Sequence, residues 1–297
     1  MTAGSVARPV SRGQLVRRRF WRHPLAKVGV VSLCALVVAA FVLPLLLPWQ
    51  PSDLDSDYSQ SLVGPNASHP FGTDQIGHDL LAQTLSGLQK SLVIGFVAAT
   101  VSTAIAATVG SIAGYFGGWS DRAIAIAIDL LLVIPSFLII AIISPSVSSG
   151  GFIVLAMLLA LFNWMITARV VRGLALTLRE REYIEAAKYM GVPSRTIILR
   201  HLLPNMASLL IIDATLTVGG TILAETGLTY FGFGVQPPEV SLGTLIAAGT
   251  SGASLTTSPW LWFFPGALLV LTVLSVNFIG DALRDAFDGG SRQGGAS

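Results

Sequence analysis

Few side chains in this sequence could carry out chemistry, and two of them are histidines in one turn-rich segment. His69 and His78 stand nine residues apart, with Asp74 and Asp79 close by. Imidazole and carboxylate groups can bind a metal ion together. Two histidines in a segment rich in Pro, Gly and Asn are nevertheless more typical of ordinary polar loop residues. We therefore expect no metal site, and no Ser/His/Asp arrangement or carboxylate dyad predicts an enzyme.

The lysines argue against nucleotide binding by this chain. A P-loop needs a Gly-Lys-Ser/Thr sequence whose backbone and lysine hold the phosphates. The residues before Lys27, Lys90 and Lys188, the three lysines of the chain, are alanine, glutamine and alanine. We therefore expect no cofactor in this chain.

Polar residues inside long apolar stretches form a third group, made up of Asp129, Asn163, Asp213, Thr217 and Glu225. An ionisable group within a membrane is costly and usually faces protein or water, so it often marks a pathway. The candidates for a substrate path are Asp213 and Thr217, which share one helical stripe, with Asp129 and Asn163. The alternative is hydrogen bonding between helices and, for Glu225, pairing with a loop amide.

The composition places these residues in membrane-spanning helices. Charged residues make up 11% of the chain and hydrophobic residues 53%, with a mean hydropathy of +0.71. A soluble domain carries about 25% charged residues. The net charge of +2 is too small for a nucleic-acid partner, so the lipid membrane is the expected surrounding.

Six apolar stretches are long enough to cross a bilayer, which takes about 20 residues as a helix. They are residues 25–47, 91–116, 123–143, 152–171, 206–231 and 260–279. Their length and the lack of period-two alternation favour helices, whose backbone satisfies its own hydrogen bonds in lipid. The predicted fold class is an all-α polytopic membrane protein with six transmembrane helices. Gly110, Gly114 and Gly118 predict close helix packing on the second.

Lysine and arginine are concentrated on one side of these stretches. Of the 18, seven precede or open the first stretch and seven lie in or beside the segment between the fourth and fifth. Arg122, Arg284 and Arg292 fall on the same side, which leaves only Lys90 for the other. Cytoplasmic loops are enriched in these residues, so we expect an inner-membrane protein with both termini in the cytoplasm.

The basic start of the chain has two further interpretations. The sequence from Arg17 to Phe20 resembles a twin-arginine export signal, but the apolar run after it is too long and lacks a small-x-small cleavage site. We expect residues 14–24 to form a partly amphipathic segment on the inner leaflet, with Phe20 and Trp21 at the interface. A flexible positive anchor is the alternative.

The polar segment at residues 179–205 interrupts the apolar pattern. Residues 180–190 favour a helix, which Gly191 and Pro193 would end. Ser194 would cap a second short helix, and Pro204 would separate that helix from the fifth span.

One face of the first of these helices predicts a partner. Tyr183, Ala186, Ala187 and Met190 follow i, i+3, i+4 and i+7 spacing, and small residues let another surface approach closely. The sequence therefore predicts an aromatic–aliphatic stripe that fits a groove, with an ordinary amphipathic linker as the alternative.

Four segments, taken in order, resemble one protein family. Residues 69–79 read HPFGTDQIGHD, residues 185–204 contain EAA, a glycine at 191 and Leu-Pro at 203–204, residues 232–238 read GFGVQPP, and residues 277–288 read NFIGDALRDAFD. Together they cover nearly the whole chain. On these residues the chain resembles the C-type permease subunit of dipeptide/oligopeptide and nickel ABC importers.

The resemblance implies a type I ABC importer permease fold and a division of the chain. Residues 1–24 would be a cytoplasmic basic segment, 25–47 the first span, 48–90 an extracytoplasmic loop, 91–279 the permease core and 280–297 a cytoplasmic tail. The loop at 179–205 would couple the permease to its ATPase. The implied coupling residues are Tyr183, Glu185, Ala186, Ala187, Met190, Gly191, Pro193, Leu203 and Pro204.

The implied partners are a homologous B-type permease, ABC ATPase subunits, which would bind ATP and its Mg²⁺, and an extracytoplasmic substrate-binding protein. The implied function is ATP-driven uptake of di- or oligopeptides, in which Asp213 would attract a peptide amino terminus. Import of nickel or another small solute is an alternative, as is a gradient-driven secondary transporter.

Two positions bear on the subfamily. Arg200-His201 is common in peptide-type permeases, whereas residues 239–243 read EVSLG where the family usually has Pro-Ser-Trp-Gly. The loss of that tryptophan puts an outer-loop contact in doubt. The outer segments 49–79 and 232–259 carry no lysine or arginine and could receive a receptor, line the substrate entrance, or simply follow the membrane topology. Their acidic residues are Asp53, Asp55, Asp57, Asp74, Asp79 and Glu239.

Overall fold

The computed structural model describes residues 12–48, 50, 61–146, 151–252 and 254–288, and its regular structure there is helical. Asp53, Asp55 and Asp57 and the tail from residue 289 lie outside these ranges. The helices are α1 Arg12–Arg22, α2 Pro24–Phe41, α3 Leu80–Phe116, α4 Gly118–Val133, α5 Ser136–Ile143, α6 Gly151–Arg179, α7 Glu182–Tyr189, α8 Ser194–Ile197, α9 Leu203–Tyr230, α10 Leu242–Thr250, α11 Ser254–Thr257 and α12 Trp260–Asp288. A 3₁₀ turn, Leu43–Leu45, follows α2, and a π-helical turn, Ile198–Leu202, precedes α9.

Among the described residues, five helices are long and apolar enough to cross a membrane, or six if a bent pair counts as one span. The bent pair is α4 and α5, which meet at an angle of 72°. The stretch predicted as one helix over 123–143 is therefore two helices, which still allow the predicted count of six spans if the pair crosses together. Pro135 lacks a backbone N–H and disfavours helical geometry at the residue before it, and Ile134 is indeed extended with ψ 123°.

Four of the spanning helices, α3, α6, α9 and α12, are longer than their apolar stretches predict. α3 has 37 residues, about 55 Å at 1.5 Å per residue, so it extends well beyond a ~30 Å hydrocarbon layer. It begins at Leu80, where the Asp79 carboxylate accepts a 2.7 Å hydrogen bond from the Ala82 amide. Lys90 thus lies within the helix, one residue before the predicted apolar stretch. Hydropathy finds the part of a helix inside lipid, whereas capping groups decide where it starts.

Small residues let α3 pack directly against α6. A Cβ added at Gly110 would lie 2.6 Å from the Ala168 carbonyl oxygen, and one at Gly114 would lie 2.5 Å from the Ala175 Cβ. The predicted close packing at these two glycines is confirmed. Gly118 does not belong to this contact, because the chain turns at Gly117 and Gly118 opens α4 with nothing within 4 Å of an added Cβ.

The segment between α9 and α12 contains a helix that hydropathy does not predict. α10 has nine residues, too few to span, and packs between α12, α9 and α3. Ser241 starts it with a capping box in which the Ser241 amide donates to Thr244 Oγ1 at 2.9 Å. Gly87 on α3 leaves room for this start, since an added Cβ would lie 2.9 Å from the Ser241 carbonyl carbon. The segment is therefore part of the core and not an open loop.

Candidate coupling site

The central polar segment folds as a short helix between two long ones. α7 carries two acidic residues in its first turn and a lysine in its last, an arrangement that the helix dipole favours. It ends at Gly191, whose φ is +76°, and the Val192 amide donates to the Ala187 carbonyl at 3.1 Å. Glycine adopts this left-handed conformation without steric cost. The predicted helix and its stop are confirmed.

One face of α7 is buried against the bases of the long helices. Ile184 is 0% exposed and Ala187 4%, and both pack with Ile197, Leu202 and Met206. The prediction that Ala187 belongs to a stripe open to a partner is therefore wrong, because the helix needs that face to hold itself in place. The signal for this was the apolar pair Ile184 and Ala187 at i, i+3 spacing.

The opposite face of α7 is open. Tyr183, Glu185 and Ala186 are exposed, Met190 is 75% exposed and Tyr189 is 90% exposed. The sequence prediction did not include Tyr189, which follows Glu185 and Ala186 at i+4 and i+3 and so lies on their face. The exposed face is thus an alanine flanked by two tyrosines, a carboxylate and a methionine.

The connection from α7 to α9 differs from the prediction. Pro193, and not Ser194, is the N-cap of α8, and no side chain forms a capping hydrogen bond there. Ser194 is the first residue of the helix. The helix then runs through the π-helical turn into α9, so the interval from Ser194 to Tyr230 is one span. Pro204 does not break it, because the π-helical turn directly before it changes the hydrogen-bond pattern at the position where proline has no N–H to donate. Leu203 is half-buried and Pro204 exposed.

Two cations attach the segment to the C-terminal end of α3. Arg179 Nη1 donates to the Gly114 carbonyl at 3.3 Å, and Lys188 Nζ lies 4.9 Å from the ring centroid of Tyr115. On the other side Asn205 Nδ2 donates to the Tyr183 hydroxyl at 3.3 Å. α7 is therefore attached to α3 and to the start of α9.

Polar residues of the predicted path lie between α6 and α9. Thr167 Oγ1 donates to Asp213 Oδ2 at 2.8 Å, and Asn163 Nδ2 donates to Thr221 Oγ1 at 3.0 Å. Thr217 lies half-buried on α9 between these two contacts. Both bonds join the same pair of helices, so Asp213 and Asn163 face one interface.

Asp129 lies elsewhere. It forms an ion pair with Arg169, and Asp121 forms one with Arg172, so both pairs join α4 to α6. Thr167 and Arg169 are two residues apart, so their side chains lie on nearly opposite sides of α6. The four predicted path residues therefore do not form one site, and the pairing of Asp129 with an arginine had no signal in the hydropathy pattern.

Glu225 is a fully buried carboxylate, 0% exposed. Ser91 Oγ on α3 donates to its Oε2 at 3.1 Å and Thr229 Oγ1 donates to Oε1 at 2.9 Å. The Thr229 hydroxyl in turn accepts from the Val235 amide at 3.1 Å. Glu225 thus joins α3, α9 and the segment after α9 through hydroxyl groups and not, as the sequence suggested, through a loop amide.

The histidines of the outer segment each hold an aspartate. His69 Nδ1 lies 2.8 Å from Asp79 Oδ2, with both side chains buried, and His78 Nδ1 lies 2.9 Å from Asp74 Oδ2. Asp74 also accepts from the Ile76 amide at 2.9 Å. In the part of the chain that the structure describes, no group of three metal-ligating side chains comes together. The motif at 69–79 forms a compact turn whose Asp79 starts α3.

The departure at 239–243 also serves internal contacts. Glu239 Oε2 accepts from the Phe152 amide at 3.0 Å, at the start of α6, where a carboxylate is favourable. Leu242, at the position of the family's tryptophan, is fully buried in the cluster with Leu88, Leu92 and Ile222. In this chain the position is therefore part of the core.

The fold and these segments match one class of protein. A family model described as the binding-protein-dependent transport system inner membrane component matches residues 106–293. A second model, the N-terminal TM domain of oligopeptide transport permease C, matches residues 11–65. The chain belongs to the family of binding-protein-dependent transport system inner membrane components, and it is a multi-pass transport permease. This membership confirms the resemblance drawn from the four segments.

Individual relatives cover almost the full length. The chain is 54% identical over 283 residues to the oligopeptide transport system permease protein OppC of Mycobacterium tuberculosis (strain ATCC 25618 / H37Rv), with 95% of this chain and 96% of the relative covered. It is 39% identical over 282 residues to a putative peptide permease protein of Brucella suis biovar 1, covering 94% and 92%. The OppC protein of Haemophilus influenzae is 36% identical over 275 residues, covering 93% and 88%.

Proposed function

We propose that this chain is the C-type membrane subunit of an ATP-driven ABC importer that takes up oligopeptides. The names of its relatives support the peptide substrate, and the distribution of lysine and arginine supports an inner-membrane location with both termini in the cytoplasm. Its partners would be a B-type permease that completes the translocation path, and an extracytoplasmic substrate-binding protein.

The observation that carries the coupling role is the two-sided structure of α7. Its inner face shares one cluster with Val171 and Ala175 of α6 and Met206 of α9. Its outer face, around Ala186 and Tyr189, is open. A force applied to the outer face would reach α6 and α9 together, because close-packed side chains transmit displacement.

The energy would come from a separate ATPase subunit that binds ATP and Mg²⁺ and seats α7 in a cleft. ATP binding and hydrolysis would favour different arrangements of the ATPase pair, and α7 would convey that difference to the membrane helices. In the path itself we propose Asp213, held by Thr167, as the group that attracts the amino terminus of a peptide.

The test uses the complete importer, reconstituted with its partner subunits and receptor in proteoliposomes. Glu185→Arg reverses a charge on the open face of α7, and Gly191→Asp forces a side chain into a left-handed conformation that costs about 1–2 kcal/mol. We expect each to lower ATP-dependent peptide uptake by about tenfold or more. Asp281→Arg is the matched control, because it makes the same charge reversal at an exposed carboxylate on α12, outside the coupling segment.

The outcomes separate the alternatives. Peptide uptake that continues without the ATPase, or that is insensitive to both substitutions at normal membrane levels, would refute ATP coupling through α7. Receptor-dependent uptake of nickel in place of peptides would leave the coupling role standing and replace the substrate.

A further inference from the structure

An open groove lies between α1, the start of α9 and the end of α12. It has a volume of about 430 Å³, within the range of pockets that hold small ligands. Val16 and Phe20 line it from α1, Ile211 from α9, and Leu283 and Phe287 from α12. Each helix presents residues three or four apart, so the apolar lining is continuous along all three.

The α1 side of the groove carries one cation, Arg17, which belongs to a strongly basic helix. α1 contains five arginines and no acidic residue in 11 residues. Among the described residues, Arg17, Arg18, Arg19 and Arg22 form no ion pair. The nearby Asp285 carboxylate on α12 lies 3.4 Å from His23 Nε2. Arg17 is the arginine that also lines the groove.

The opposite wall of the groove belongs to the coupling segment. Pro204 and Asn205 line it, and Asn205 donates its hydrogen bond to Tyr183 of α7. A molecule in the groove would therefore contact a residue that is one hydrogen bond from the helix that receives the force of the ATPase.

We propose that this groove binds an anionic phospholipid of the inner leaflet, with an acyl chain along the apolar lining and the phosphate on Arg17. The inference rests on the proposed cytoplasmic position of α1. An apolar slot with a cation on one side at a membrane surface matches a molecule that has an apolar chain and an anionic head. Through Asn205 and Tyr183, the bound lipid would hold α7 in register with α1 and α12.

The test uses the complete importer in nanodiscs of phosphatidylcholine with increasing fractions of phosphatidylglycerol. Two readouts are taken: phosphatidylglycerol retained on the complex in native mass spectrometry, and receptor-stimulated ATP hydrolysis. Arg17→Gln should raise the half-saturating fraction of phosphatidylglycerol by about tenfold, because a charge-assisted hydrogen bond is lost. Arg18→Gln is the matched control, with the same charge change on the same helix but outside the groove, and should shift it by about twofold at most.

A second variant tests the apolar part. Gly13→Phe places a ring at the α1 end of the groove, where an added Cβ meets nothing within 4 Å, so the fold should tolerate it. We expect this variant to retain less phosphatidylglycerol than the wild-type importer, as Arg17→Gln does.

Equal shifts for the two arginine variants would indicate diffuse surface charge and overturn the proposal, and so would wild-type lipid retention by Gly13→Phe. If Arg17→Gln changed ATP hydrolysis in pure phosphatidylcholine as much as in the presence of phosphatidylglycerol, the occupant would not be an anionic lipid. That result would also overturn the proposal. Absence of peptide uptake by the wild-type importer would refute the proposed function instead, while lipid retention would still report on the groove.

Discussion

Replacing Ile184 by alanine should release α7 from the bases of the membrane helices. The Ile184 side chain is fully buried among Ile197, Leu202 and Met206. Truncating a buried isoleucine to alanine costs about 2–5 kcal/mol. α7 has only eight residues, and a helix that short is not stable in water without packing.

The magnitude decides whether the helix stays docked. A loss of about 3 kcal/mol lowers the ratio of docked to released helix by about 150-fold. The hydrogen bond from Asn205 to Tyr183 would remain, but one such bond contributes only about 1 kcal/mol. We therefore expect α7 in Ile184→Ala to be released much of the time, so that ATP hydrolysis continues while peptide uptake falls.

The assay is hydrogen–deuterium exchange over residues 182–190 in the purified importer, together with peptide uptake. Exchange should accelerate by about two orders of magnitude in Ile184→Ala and by much less in Ile184→Val, which loses one methyl group at about 0.5–1.5 kcal/mol. Tyr189→Ala is the converse control, because that exposed side chain can affect coupling without changing protection. Unchanged exchange in Ile184→Ala would refute the view that this face holds α7.

Two further predictions concern the membrane helices. Gly114→Ala should lower the thermal stability of the detergent-solubilised importer, at a cost of about 1–3 kcal/mol, because the new Cβ meets Ala175. Gly173→Ala, at an open position on α6, should be neutral or slightly stabilising. Equal losses of stability in the two variants would contradict the packing argument. Arg169→Asp alone should lower the amount of folded protein in the membrane, since it puts two carboxylates together, and adding Asp129→Arg should restore that amount. A double variant with no more folded protein than the single one would show that the ion pair does not stabilise the contact between α4 and α6.

The sequence alone determined the class of structure and most of its parts. Long apolar runs must be helical in lipid, because a single segment can form all of its own backbone hydrogen bonds there only as a helix. The glycine at 191 required a helix stop, and the glycines at 110 and 114 required close packing, since both properties belong to the residue itself. The four family segments likewise identified a transport permease before any contact was known.

Hydropathy alone was insufficient where a cap, a proline or a distant part of the chain decides the structure. The start of α3 at Leu80 depends on the Asp79 cap, and the bend where α4 and α5 meet at 72° was not predicted, although Pro135 lies beside it. Pro204 lies inside a continuous span because the π-helical turn before it lets the helix pass. α10 was missed because a nine-residue helix carries no span signal and is stabilised by its neighbours.

The polar segment at 179–205 shows the division most clearly. The local sequence predicts that it forms a helix, where that helix stops and which charges it carries. The local sequence does not predict which face of the helix is exposed, because Ala186 and Ala187 are chemically identical and differ only in the residues that pack against them. Tertiary packing of Ile184 and Ala187 on Ile197, Leu202 and Met206 buries one alanine and leaves the other beside Tyr189. The tertiary structure alone therefore decided which residues are open to a partner.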